Sequence, residues 1–142
     1  MSQTPPYRPL LRTQQDLQEA WTRLMGPWGF SGHSLWVMLI GPDDRPHPQL
    51  TEVTDTDEPP DQDWEDDVTK LVDMLGGFSE VSRVAFLLSR PGSPAVTERD
   101  RGWAAGLYAA GRRAGLACEV VHLATEAGVV PLPMDEVLAE PA

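Results

Sequence analysis

A continuous apolar run, Leu-Trp-Val-Met-Leu-Ile at residues 35–40, constrains the fold more than any other feature of the sequence. The run does not alternate between apolar and polar residues, which is typical of a strand covered on both faces. Residues 84–88, Val-Ala-Phe-Leu-Leu, repeat the pattern. We therefore expect both runs to be core strands of a layered α/β domain.

Three other stretches have the apolar spacing of amphipathic helices. The first is predicted at residues 13–25, the second around residues 64–75 and the third from residue 97 to about residue 114. Thr13 and Thr97 stand at the expected N-cap positions of the first and third helices, and a glycine follows the end of each helix.

The remaining strands are shorter or more peripheral. Residues 49–54 alternate and follow a Pro- and Asp-rich turn, which predicts a hairpin with the first run. Residues 116–123 predict a third core strand, and residues 129–132 a short last strand. Helices long enough for parallel crossovers separate the middle strands, so the sheet is predicted to be mixed.

The chain has 142 residues, enough for one core. We predict a single α/β domain with a mixed sheet and about three helices at residues 13–132. A flexible arm at residues 1–12 precedes it, and a tail at residues 133–142 follows it.

The charge is strongly acidic, with a formal net charge of −11. This charge would repel phosphate backbones, so we expect no direct nucleic-acid partner. Residues 52–67 carry nine carboxylates and no basic residue. Many of them lie before or within the first turn of the second helix, where the helix dipole favours negative charge. A weaker interpretation of this stretch is an acidic decoy for a nucleic-acid-binding protein.

The sequence predicts a cytoplasmic protein without a membrane partner. No apolar run approaches the roughly 20 residues that span a bilayer, and the first residues do not have the pattern of a secretion signal. The one cysteine, Cys118, cannot form an internal disulfide, which fits a reducing compartment.

Few residues suggest catalysis. The three histidines are far apart in sequence, and none has a second histidine or a cysteine at metal-ligand spacing. His122 lies on a predicted core strand, where a hydrogen-bonded structural role is favoured over that of a ligand or an acid–base group. We expect Cys118 to be a buried small side chain rather than a nucleophile.

The most suggestive segment passes from the second apolar run to the third helix, at residues 88–100. A strand-to-helix junction presents backbone N–H groups that can receive an anion, with Arg90, Ser93 and Thr97 as further donors. Thr97 and Asp100 also fit a helix-capping pair, which gives them an ordinary structural role. The candidate anion or ligand site therefore comprises the residues Arg90, Ser93, Thr97, Asp100 and His122.

Residues 84–132 resemble the C-terminal half of a RadC-like JAB/MPN domain, a metal-dependent isopeptidase-like fold. In that family a core strand leads to His-x-His-Pro, then to Ser-x-x-Asp at the start of a helix, and later to an Asp-His pair. This chain has Leu88-Ser89-Arg90-Pro91, Thr97-Glu98-Arg99-Asp100 and Val121-His122 at these motifs. The resemblance implies the scaffold without its zinc, because Leu88 and Arg90 replace both metal-binding histidines.

Two further similarities bear on architecture and source. Cytidine-deaminase-like layering is the alternative fold, and the whole chain resembles small actinobacterial proteins.

The favoured hypothesis is a non-catalytic protein-interaction or binding domain without a cofactor, whose partner is another protein or a second copy of the chain. The alternative is the binding of a small anionic ligand, with or without catalysis, at the loop from Arg90 to Asp100 with His122 nearby.

Overall fold

The computed structural model describes residues 10–25, 32–54, 62–76, 81–93 and 95–133. Most of the predicted arm, most of the predicted tail and the middle of the acidic stretch lie outside these ranges.

Helices and strands follow one another in the predicted order. They are α1 (Gln14–Met25), β1 (Ser34–Ile40), β2 (Pro46–Thr54), α2 (Gln62–Gly76), β3 (Arg83–Ser89), α3 (Glu98–Arg113), β4 (Ala117–Cys118), β5 (Val121–Thr125) and β6 (Gly128–Leu132). Among the described residues, no helix has the length and apolarity to cross a bilayer.

The strands form one mixed sheet in the order β2-β1-β3-β5-β6, with β4 paired to β3. The pairs β1/β2, β1/β3 and β5/β6 are antiparallel, whereas β3 and β5 are parallel and joined through α3. This confirms the predicted α/β domain with a mixed sheet and three helices. Both apolar runs are interior strands, as their lack of alternation indicates.

The two faces of the sheet are covered by different helices. Val37, Phe86 and Leu123 belong to one buried cluster with residues of α2 and α3. Met38 and Leu87 belong to a second cluster with residues of α1. Successive residues of a strand point to opposite faces. A strand that is buried on both faces therefore needs a continuous apolar run. Each fully buried large side chain contributes about 1.5–3 kcal/mol to the stability of the folded state.

The predicted strand at residues 116–123 is divided in the structure. Ala117 pairs with Arg83, whereas His122 pairs with Leu87, so five steps along one strand match four along the other. The extra residue forms a bulge at positions 119–120, where the Glu119 N–H still donates to the Val84 carbonyl (2.9 Å). Apolar character alone does not show such an insertion.

A side chain of α3 closes the end of the β5–β6 ladder. The Tyr108 hydroxyl accepts a hydrogen bond from the Val121 N–H (2.9 Å) and donates to the Leu132 carbonyl (2.6 Å). Burial raises the pKa of Tyr108 to about 12, so the hydroxyl keeps the proton it donates. The helix, β5 and β6 are therefore fastened together at one point.

Candidate functional site

The candidate site is the loop that leaves β3 at Ser89 and enters α3 at Glu98. Gly92 has a φ of +100°, a conformation that side-chain-bearing residues rarely adopt, so a glycine is needed for the turn. Thr97 caps α3: its hydroxyl accepts the Asp100 N–H (3.2 Å), and Asp100 Oδ2 accepts the Thr97 N–H (2.9 Å). The predicted capping pair is confirmed.

Arg90 lies inside this loop and is buried. Its Nε and Nη2 donate to the two carboxylate oxygens of Asp100 at 2.9 and 2.7 Å. Nη1 donates to the carbonyls of Pro91 (3.1 Å) and Ser93 (2.8 Å), and Nη2 also donates to the carbonyl of Ala95 (3.0 Å). A guanidinium has five N–H donors. All five are used within the loop and the first turn of α3.

The ion pair fixes the charge of both partners. Burial alone would raise the pKa of Asp100, but hydrogen bonds from Arg90 and Thr97 outweigh it and hold that pKa below its usual value. The hydrogen bond to Asp100 raises the pKa of Arg90. Charge-assisted bidentate pairs of this kind are the strong ones among hydrogen bonds.

A small cavity lies beside the pair, between the start of β1 and the start of α3. Its volume of about 10 Å³ is room for about one water molecule. It is lined by His33, Ser34, Leu88, Ser89, Arg90, Arg99, Asp100 and Trp103. An anion larger than water would enter only after the loop had moved.

Three of the five predicted site residues come together around the ion pair, namely Arg90, Thr97 and Asp100. Ser93 takes part mainly through its carbonyl, and its hydroxyl accepts the Ala95 N–H (3.1 Å). Arg90 would bind an external anion only by giving up one of its five bonds. The anion site therefore stays a prediction, and it now requires an exchange of partners at Arg90.

His122 is not part of this cluster. Its side chain points to the face covered by α1, where its Nε2 lies 3.0 Å from the amide nitrogen of Gln14. The loop packs instead against α3, on the opposite face. The expectation that His122 lies near the loop is therefore corrected, because adjacent strand residues alternate between faces and Val121 faces α3.

The sequence pattern presents Arg90 as an open donor and Asp100 as a helix-capping member of the candidate site, and it does not pair the two. The signal that could have paired them is the position of Arg90 directly after a buried strand. A buried charge requires a partner, and Asp100 is the acidic residue that capping fixes in the first turn of the next helix.

The residues present do not fit the zinc that metal-dependent members of the JAB/MPN family bind, in line with the metal-free scaffold that the resemblance implies. Leu88 packs in the core, Arg90 is a cation, and both oxygens of Asp100 accept hydrogen bonds. Within the described ranges, no three His, Cys, Asp or Glu side chains come together as a metal site.

Cys118 is a poor nucleophile in this setting. Burial raises the pKa of its thiol to about 12, and its Sγ lies 3.4 Å from the Glu119 carbonyl, to which it donates. The thiolate, which is the nucleophilic form, is therefore scarce at neutral pH.

Comparison with known proteins finds no match to this chain among family models, curated proteins or solved structures, so the JAB-like resemblance of residues 84–132 stays a prediction.

Proposed function

We propose that this protein is a non-catalytic binding domain that contacts another protein or a second copy of itself, on a RadC-like JAB scaffold in which an internal ion pair replaces the metal. We also propose that it works in the cytoplasm, which its single, unpaired cysteine supports.

One observation carries the proposal: the arginine at the centre of the candidate site is fully used by its own loop. Five hydrogen bonds hold the Arg90 guanidinium, and the carboxylate of Asp100 is held by Arg90 and Thr97. A catalytic site needs groups that can change partners during the reaction. Here the groups with charge are committed to holding the loop in one conformation.

The other reactive side chains near the loop support the same interpretation. The Ser89 hydroxyl accepts a hydrogen bond from Trp36 Nε1 (3.0 Å), and no described histidine or carboxylate bonds to it as a base. His122 lies on the opposite face of the sheet. A nucleophile, a base and an oxyanion donor therefore do not converge among the described residues.

Isothermal titration calorimetry of the full chain with zinc chloride, and separately with phosphate, tests the proposal. We expect no saturable heat with either probe. Zinc bound in stoichiometric amount, with isopeptide hydrolysis that a chelator abolishes, would contradict it. Saturable phosphate binding that disappears in Arg99→Ala, whose side chain borders the cavity, would favour the small-anion alternative instead.

Sedimentation velocity over a wide concentration range then identifies the class of partner. A sedimentation coefficient that rises with concentration indicates a second copy of the chain. A constant monomer value indicates a different protein. If that partner is basic and binds the acidic stretch, its affinity should fall steeply with salt.

A further inference from the structure

His122 is fully buried at the interface between β5 and α1. Its Nδ1 lies 2.9 Å from the Val120 carbonyl, which can only accept, so Nδ1 carries the proton. Nε2 is then the acceptor, and it receives a hydrogen bond from the Gln14 amide nitrogen at 3.0 Å. The interface is therefore built for the neutral ring.

Two glutamines extend this contact along α1. The Gln14 amide also donates to Gln18 Oε1 (3.1 Å), and Gln18 Nε2 donates to the Val129 carbonyl (2.9 Å). A continuous chain of hydrogen bonds thus joins β5, the first two turns of α1 and β6. Because each amide is oriented by its neighbour, the whole chain depends on Nε2 being an acceptor.

Among the described residues, no acidic side chain is hydrogen-bonded to His122 in a way that would stabilise the protonated ring. On α1, Asp16 accepts the N–H groups of Arg12 and Thr13, and Glu19 accepts from Gln15. Beside His122 in the sheet stand Leu87 of β3 and Pro131 of β6. The remaining charged groups of the packed elements are Arg23 of α1, and Arg83 of β3 with its partners Asp44 and Glu119. None of these is a hydrogen-bond partner of His122.

We propose that protonation of His122 releases α1 from the sheet, so that the docking of this one helix is the acid-sensitive step of the fold. An imidazolium has two donors, and its Nε2–H would point at the donor nitrogen of Gln14. The released helix would expose His122 to water, where the imidazolium is hydrated.

The sign of the effect follows from linkage. Burial lowers the pKa of His122 from 6.5 to about 4 in the folded state. The released state therefore takes up the proton first, and acid favours release progressively as the pH falls from about 6.5 to about 4. Well above pH 6.5 both states are neutral, and docking then has no pH dependence from this group.

The release should be local because the other helices are held on the other face. α2 and α3 pack on the opposite cluster, and α3 is fastened by the Arg90–Asp100 pair and by Tyr108. Protonating His122 breaks no hydrogen bond made by α2 or α3. Native proteins open in contiguous cooperative units of this kind.

Native-state hydrogen exchange, resolved by residue, tests the proposal on the full chain between pH 7 and 4.5. With rates divided by the intrinsic chemical rate at each pH, the opening of α1 should increase about 50-fold over this range. Global unfolding also exposes His122 and gains by the same factor, so the opening constants themselves separate the two cases: α1 should open far more often than α3 at every pH. Equal opening constants in α1 and α3 would show that α1 leaves the sheet only by global unfolding and would overturn the proposal.

Two variants and a control assign the effect to the ring. His122→Gln has no group that titrates in this range, and its α1 opening should lose the pH dependence. Gln14→Glu keeps the histidine but puts a carboxylate beside Nε2, which raises the folded-state pKa and should flatten the same profile. His33→Gln, at a half-buried histidine outside this interface, should behave like the parent protein. A profile that persists in Gln14→Glu, or in a folded His122→Gln, would overturn the proposal.

Discussion

One arginine begins the strand β3 and another follows its last residue, and the two arginines are held in different ways. Arg83, at the start, reaches Glu119 (2.5 Å), the Leu11 carbonyl (2.8 Å) and Asp44 (2.9 Å). These partners lie 36, 72 and 39 residues away in sequence. Arg90, just beyond the other end, has partners no more than ten residues away. One arginine connects distant segments, and the other shapes a single loop.

The burial of an ion pair and its reach, which is the sequence separation of its partners, are therefore separate properties. Arg83 is 18% exposed and its partners Asp44 and Glu119 are 40% and 28% exposed, so water and salt weaken each contact. Arg90 and Asp100 are 10% and 4% exposed, and each is a buried charge that depends on the other. The cost of breaking a pair should therefore follow its burial, whereas the extent of the disturbance should follow its reach.

The largest effect is expected at the buried pair. Asp100→Asn leaves Arg90 as an uncompensated buried charge and should lower the free energy of unfolding by about 3–5 kcal/mol. Urea denaturation at pH 7 measures this. The double variant Arg90→Met/Asp100→Leu removes both charges and should recover much of the loss. A loss below about 1 kcal/mol in Asp100→Asn would break the distinction between the two ends.

The same pair should contribute to acid sensitivity below the range of His122. The folded-state pKa of Asp100 is lowered, so its contribution is present above its ordinary pKa of 3.8 and is lost as the pH falls through the folded value. Asp100→Asn should therefore show a shallower fall in melting temperature below pH 4 than the parent protein. An unchanged slope would show that the carboxylate adds no pH dependence.

A smaller loss is expected at Arg83. Arg83→Met keeps much of the side-chain volume but removes three hydrogen bonds, and it should cost about 1–2 kcal/mol in urea denaturation. About 0.5 M salt should reduce the difference between this variant and the parent, because salt screens the half-exposed contacts. The loss in the free energy of unfolding caused by Asp100→Asn should change less with salt. Equal salt responses at the two ends would contradict the comparison.

The smallest effect is expected at an exposed pair that serves as the reference for both ends. Arg113 Nη2 lies 2.8 Å from Asp66 Oδ1, and the two side chains are 47% and 37% exposed. Asp66→Asn should change the free energy of unfolding by at most about 0.5 kcal/mol. A larger loss would show that exposure does not rank these pairs.

The layers of the fold could be predicted from the sequence because they depend on local patterns. The apolar runs of β1 and β3, the helical spacing and the Thr97 cap each follow from neighbouring residues. The bulge between β4 and β5 could not, since it depends on how two strands meet. The position of His122 could not be predicted either. Alternation places its side chain on the other face of the sheet from Val121, but it does not show which helix covers that face.

The sequence predicts which residues form the candidate site, but it does not predict the hydrogen bonds between them. Arg90, Thr97 and Asp100 do come together, yet the sequence does not show that Arg90 bonds to the carbonyls of its own loop. Those bonds depend on a chain reversal at Gly92, which aims three carbonyls inward. A turn signal predicts that the chain reverses, and it does not predict where each carbonyl points.

The hydrogen bond from Gln18 to the Val129 carbonyl also protects the border of the sheet. β6 is the edge strand, and the N–H and C=O groups of alternate residues point to the same side of a strand. The backbone groups of Pro131 therefore point to the same outer edge as those of Val129. An incoming strand would find one acceptor already occupied and one amide hydrogen missing, since proline has none. Growth of the sheet by strand addition is thereby discouraged at β6.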